Sequence, residues 1–80
     1  MRYFFHTADG SRDRDTEGTE LDSPRAAKAE AIKFAGHCIA DQPDVLFDAR
    51  DFRVEVTDTN ATLLFTIVTL AIDAPAIDDI

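Results

Sequence analysis

The segment 62–72 constrains the fold more than any other part of the chain. It is β-branched and apolar on both sides. Leu63, Phe65 and Ile67 share one face of an extended strand, while Leu64, Val68, Leu70 and Ile72 share the other. Its apolar run, 63–72, contains two Thr and is half the ~20 residues that a membrane-spanning helix needs. A strand of this kind has to be covered on both sides. Just before it, residues 52–57 alternate cleanly, with Phe52, Val54 and Val56 facing in and Arg53, Glu55 and Thr57 facing out. Asp58-Thr59-Asn60-Ala61 reads as a turn, with Asn60 as its left-handed residue. The two strands are predicted to form an antiparallel hairpin.

Residues 2–7, Arg-Tyr-Phe-Phe-His-Thr, read as a further strand. Tyr3, Phe5 and Thr7 lie on one side and Phe4 and His6 on the other, a pattern that suits a central position. Ala8-Asp9-Gly10-Ser11 gives a turn signal. Within 11–22 the sole apolar residue is Leu21, so a short strand near 11–15 and a solvated loop both remain open. Gly18 supplies a positive-φ position in this segment. Ser23-Pro24 then starts a helix, with Ser as cap acceptor and Pro where no helical N–H is lost. Ala27, Ala31, Phe34, Ala35, Cys38 and Ile39 fall on one arc, with Ile32 at its rim. Arg25, Glu30, Lys33 and His37 fall opposite, and Lys28 is expected to snorkel out of the apolar arc. Pro43 stops the helix. Residues 45–47 are expected to be a loop that tucks Phe47 and Leu46 under the helix end. Pro75 ends the order, leaving 73–80 as an acidic, frayed tail.

The expected fold is α+β, with one helix packed on a three- to four-stranded, mainly antiparallel sheet in the order β-(β)-α-β-β. A single domain covers 1–72, since 80 residues allow no second core. One helix covers one sheet face, so Leu64, Val68, Leu70 and Ile72 cannot all lie beneath it. Leaving such side chains exposed forgoes roughly 1.5–3 kcal/mol each. A homodimer with these four residues at its interface is therefore expected.

The formal net charge is −8, from 16 Asp+Glu against 8 Lys+Arg. Nucleic acids and anionic membranes are disfavoured partners, because both recruit Lys and Arg. A basic protein is favoured, and Asp13, Asp15, Glu17 and Glu20 are the expected acidic partner surface. One Cys excludes a disulfide framework. The N-terminal aromatics run at once into His6 and Asp9, which argues against a signal peptide and for a cytoplasmic location.

No constellation carries chemistry. Asp13-Arg14-Asp15-Thr16-Glu17-Gly18 matches the start of a calcium loop, but the twelfth position is Pro24, where a bidentate carboxylate is required. His37 and Cys38 are adjacent on a helix and point about 100° apart, so they do not converge on a metal. Ser11, Ser23, His6 and His37 are the whole Ser/His stock, with no nucleophile elbow among them. The three Gly, at 10, 18 and 36, form no phosphate loop. The chain is accordingly expected to be non-enzymatic, without cofactor or metal. Arg25, Lys33 and His37 form the one basic patch, read as a solvated helix face.

The order RYFFH, EGTEL, AAKAEA, FRVEV and LLFTI resembles a family of short bacterial proteins catalogued as a domain of unknown function. The likeness spans residues 2–67. That family usually has Gly where Asn60-Ala61 stands, and often Trp where Phe52 stands. The resemblance implies a compact cytoplasmic α+β domain and brings no catalytic residues. A more distant likeness is to small α+β antitoxins, which share an acidic-Gly turn leading into an Ala/Glu-rich helix, as Glu17-Gly18 leads to 26–31. Their DNA-binding segment is missing. Two readings follow: an interaction or regulatory domain acting as a homodimer, and an antitoxin-like inhibitor of a small basic toxin.

Overall fold

The structure, a computed structural model, describes residues 1–8 and 12–79. In chain order it contains β1 (Arg2–Ala8), β2 (Arg12–Asp13), β3 (Thr19–Glu20), α1 (Pro24–Asp41), a 3-10 helix (Pro43–Ala49), β4 (Asp51–Thr57), β5 (Leu63–Leu70) and a last 3-10 turn (Pro75–Asp79). The sheet order is β2-β1-β4-β5, with β3 also on β1, and every pairing is antiparallel. β2 and β3 both lie along the outer edge of β1, at its two ends, and act as one interrupted edge strand. The turn signal at residues 9–11 lies outside the described residues.

Expecting a single helix was wrong. Residues 45–47, read as a loop, lie in a second helix, Pro43–Ala49, that packs against α1, β4 and β5. Pro43 blocks continuation of α1 but is well placed in the first turn of a new helix, so the same residue ends one helix and opens another. This helix also corrects the placement of Phe47. Val45 and Leu46 pack on the core, whereas Phe47 is 60% exposed. The backbone leaves helical geometry at Phe47, and Asp48 and Ala49 take positive φ, which turns Phe47 outward.

Ser23 caps α1 by accepting the Ala26 N–H at 3.1 Å, and Pro24 occupies the first turn. Ala27, Ala31 and Ala35 recur every four residues and are buried. With no side chain beyond Cβ, they let the helix sit close to the sheet. Beneath them lie Tyr3 and Phe5 of β1 and Phe52, Val54 and Val56 of β4, which complete the core. The ladder places Phe5 opposite Val56, and Val56 opposite Phe65, so one sheet face is continuous under the helix. The Lys28 ammonium leaves the apolar arc and sits 5.5 Å from the centre of the Phe65 ring.

The hairpin turn differs from its expected form. Ala61, not Asn60, has positive φ, at 62°. Asp58 explains this, because its Oδ1 accepts the N–H groups of Asn60 and Thr62 at 2.8 and 3.0 Å. That side chain fixes the first half of the turn and leaves the chain reversal to Ala61.

Candidate functional site

Two surfaces stand out, and each is built from residues the sequence had marked. The first is β5. The ladder slips between Val56 and Thr57: Val56 opposes Phe65, but Thr57 opposes Leu63. Leu64 is the extra residue of a bulge. Leu63 therefore leaves the helix-side face assigned to it from parity and stands across from Thr57, on the open side of the sheet. Leu64, Val68 and Leu70 are 40%, 53% and 51% exposed, and Ile72, beyond the strand end, is 84% exposed. Next to them on the open side, β4 presents Asp51, Arg53 and Glu55, with Arg53 bonded twice to Asp51 Oδ2 at 2.9 and 3.1 Å. The apolar surface is thus a strip one strand wide at the sheet edge. Ile32, at the rim of the helix arc, is 55% exposed and belongs to the stripe of Lys28, one turn on. Sequence reasoning placed Ile32 at that rim but gave it no part in the interface.

The second surface is the acidic segment along β1, and its four predicted residues divide by role. Asp15 is structural. Its Oδ1 accepts the N–H groups of Glu17 and Gly18 at 3.0 Å each, and its Oδ2 accepts the Phe5 N–H at 3.2 Å. It supplies the acceptor that the interrupted edge strand fails to give Phe5. Partial burial alone would raise its pKa, but the N–H groups of Gly18, Phe5 and Glu17, with His6 nearby, hold it below its ordinary value. Its own N–H donates to His6 Nδ1 at 3.0 Å, so His6 Nε2 carries the proton and donates to Thr57 Oγ1 at 2.9 Å. Gly18 closes the segment with φ at 73°, where an added Cβ would lie 2.8 Å from Arg2 Cγ and 2.9 Å from Phe4 Cε2. Glu20 pairs with the N-terminal ammonium at 2.6 Å, which lowers its pKa. Asp13 and Glu17 have exposed side chains.

Between this segment and α1 lies a groove of about 590 Å³. Phe34, Val45 and Phe52 line its apolar part, while Asp13, Glu30 and Asp41 stand at its margin with Arg14. The groove is open to solvent along one side rather than enclosed. It exists because α1 packs over β4 and β5 and leaves the β2 side of the sheet uncovered. Such a lining suits an apolar group carrying positive charge.

Among the described residues, no group of three or more His, Cys, Asp and Glu could hold a metal ion, and no helix is long and apolar enough to cross a membrane. His37 is exposed on α1, and Cys38 is half-buried against the core. A family model described as a domain of unknown function, DUF6894, matches residues 2–71. No curated protein and no solved structure matches.

Proposed function

The chain belongs to the DUF6894 family, a domain of unknown function, and on that premise we propose that it is a non-enzymatic interaction domain that works as a homodimer through β5. One observation carries this reading: Leu64, Val68 and Leu70 stand in line on an ordered strand and are each exposed by two fifths or more. Burying them in a partner would recover roughly 1.5–3 kcal/mol for each side chain that becomes fully covered. Sedimentation equilibrium at high micromolar concentration should give twice the chain mass of 8.8 kDa. Leu70→Lys should return the monomer mass with an unchanged circular dichroism spectrum, because Leu70 is exposed in the single chain. A strict monomer in the parent protein overturns the reading.

The groove supports a second reading, in which the domain also holds a basic segment of another protein. Asp13, Glu30 and Asp41 come from two elements and line the groove with Arg14 and the aromatic Phe5, Phe34 and Phe52, so an apolar anchor flanked by Lys or Arg would meet both acids and rings. An antitoxin-like inhibitor of a small basic toxin is one form this could take. Co-expression with a small basic protein encoded beside the chain, followed by purification, is the direct test. Glu30→Lys and Asp41→Lys should weaken a complex at the groove, and equal affinity in those variants would remove this reading.

A further inference from the structure

We infer that the second copy joins edge to edge, its β5 adding antiparallel to the β5 of the first, so that the two sheets become one. This rests on the reading above that the chain self-associates, and it names how. β5 is the last strand of the sheet and pairs only with β4 among the described residues. Half of its backbone N–H and C=O groups therefore point away from the sheet. Edge strands are ordinarily guarded by charge, Pro or shortness. Residues 63–70, LLFTIVTL, carry no charge and no Pro and are long for an edge; the bulge at Leu64 lies at their first end and leaves 65–70 as a regular ladder.

The neighbours of β5 decide between an edge and a face. Packing the open faces together would press Asp51, Arg53 and Glu55 of β4 against another copy and desolvate the Arg53–Asp51 ion pair. Joining at the edge leaves those groups in water. It also uses apolar surface on both sides of the sheet: Leu64, Val68 and Leu70 on the open side, and Ile32 on the helix side. Charge identifies the occupant. Each copy carries −8, but β5 carries none of it. Two copies can therefore approach there without setting acid against acid, and a basic partner would find no acid to recognise. The opposite edge offers strands of two residues each, too short to template another copy. The contact is then isologous and closes as a dimer about a two-fold axis near Ile67.

The test is amide hydrogen exchange of the full chain across a concentration series, read beside sedimentation on the same samples. The expected result is a dimer in which alternate amides of residues 63–70 exchange at least about tenfold more slowly than in the dilute monomer. A mixed sample of labelled and unlabelled chains should show contacts between β5 backbones. A dimer whose β5 amides exchange as in the monomer would leave self-association standing and overturn edge pairing. Slow exchange independent of concentration would mean that the chain's own residues cover the edge, and this also overturns it. A monomer throughout overturns both.

Discussion

Asp15 shows how one side chain can do two jobs that its charge alone does not reveal. In the sequence it is one acid in a run of them; in the structure it holds three backbone N–H groups. Asp15→Asn keeps the shape but loses a charged acceptor, and should cost about 2 kcal/mol in urea unfolding at neutral pH. Because the folded carboxyl titrates below its ordinary 3.8, its contribution is complete above that value and disappears as pH falls through the folded pKa. The gap between parent and variant should therefore narrow as the unfolding series is taken below pH 3.8. A gap that stays constant into strong acid would place the stabilisation elsewhere. Ala61 makes the opposite point, since it holds a left-handed conformation that its Cβ resists. Ala61→Gly should raise stability by about 0.5–1 kcal/mol, the relief of strain being partly offset by the freer unfolded chain.

Among the elements, α1 was the most legible. Ser23-Pro24 and the four-residue Ala spacing define its start and its buried stripe through local rules alone, and the structure keeps both. Gly36 lies in this helix with nothing within 4 Å of an added Cβ. Gly36→Ala should stabilise by about 0.5–1 kcal/mol, measured as a higher thermal midpoint. The same substitution at Gly18 should lower it, because there the backbone is left-handed and Arg2 and Phe4 occupy the space. The 3-10 helix was the least legible element. Its apolar residues, Val45, Leu46 and Phe47, are consecutive and carry no period. Whether such a triplet becomes helix or loop depends on the sheet and helix end it settles against. The sequence allows either a short strand or a loop where β2 stands and gives no sign of β3, since two-residue strands have no pattern of their own and exist through pairing with β1.

At the scale of the whole molecule, charge and hydrophobicity are separated in space: β5 is neutral and apolar, and the −8 lies elsewhere on the chain. Two such copies repel at a distance and attract on contact. Raising salt from ~0.05 to ~0.5 M shortens the screening length severalfold, so self-association should tighten. A complex with a basic protein should loosen over the same range, and the two salt slopes would separate the two proposed interactions. Equilibrium sedimentation in both buffers reads the first, and a titration with the basic partner reads the second. The sequence by itself determined which residues are apolar, their two-residue alternation in the strands and their four-residue recurrence in α1. These are properties of neighbouring residues, and backbone geometry turns them directly into faces. Tertiary structure alone decided that β5 ends the sheet and that Leu64 bulges. It also decided that Asp15 is consumed by the backbone and that a groove remains beside the helix. Each of these depends on which distant segment arrives alongside, and pairing energies between residues far apart in the chain leave no local pattern to read.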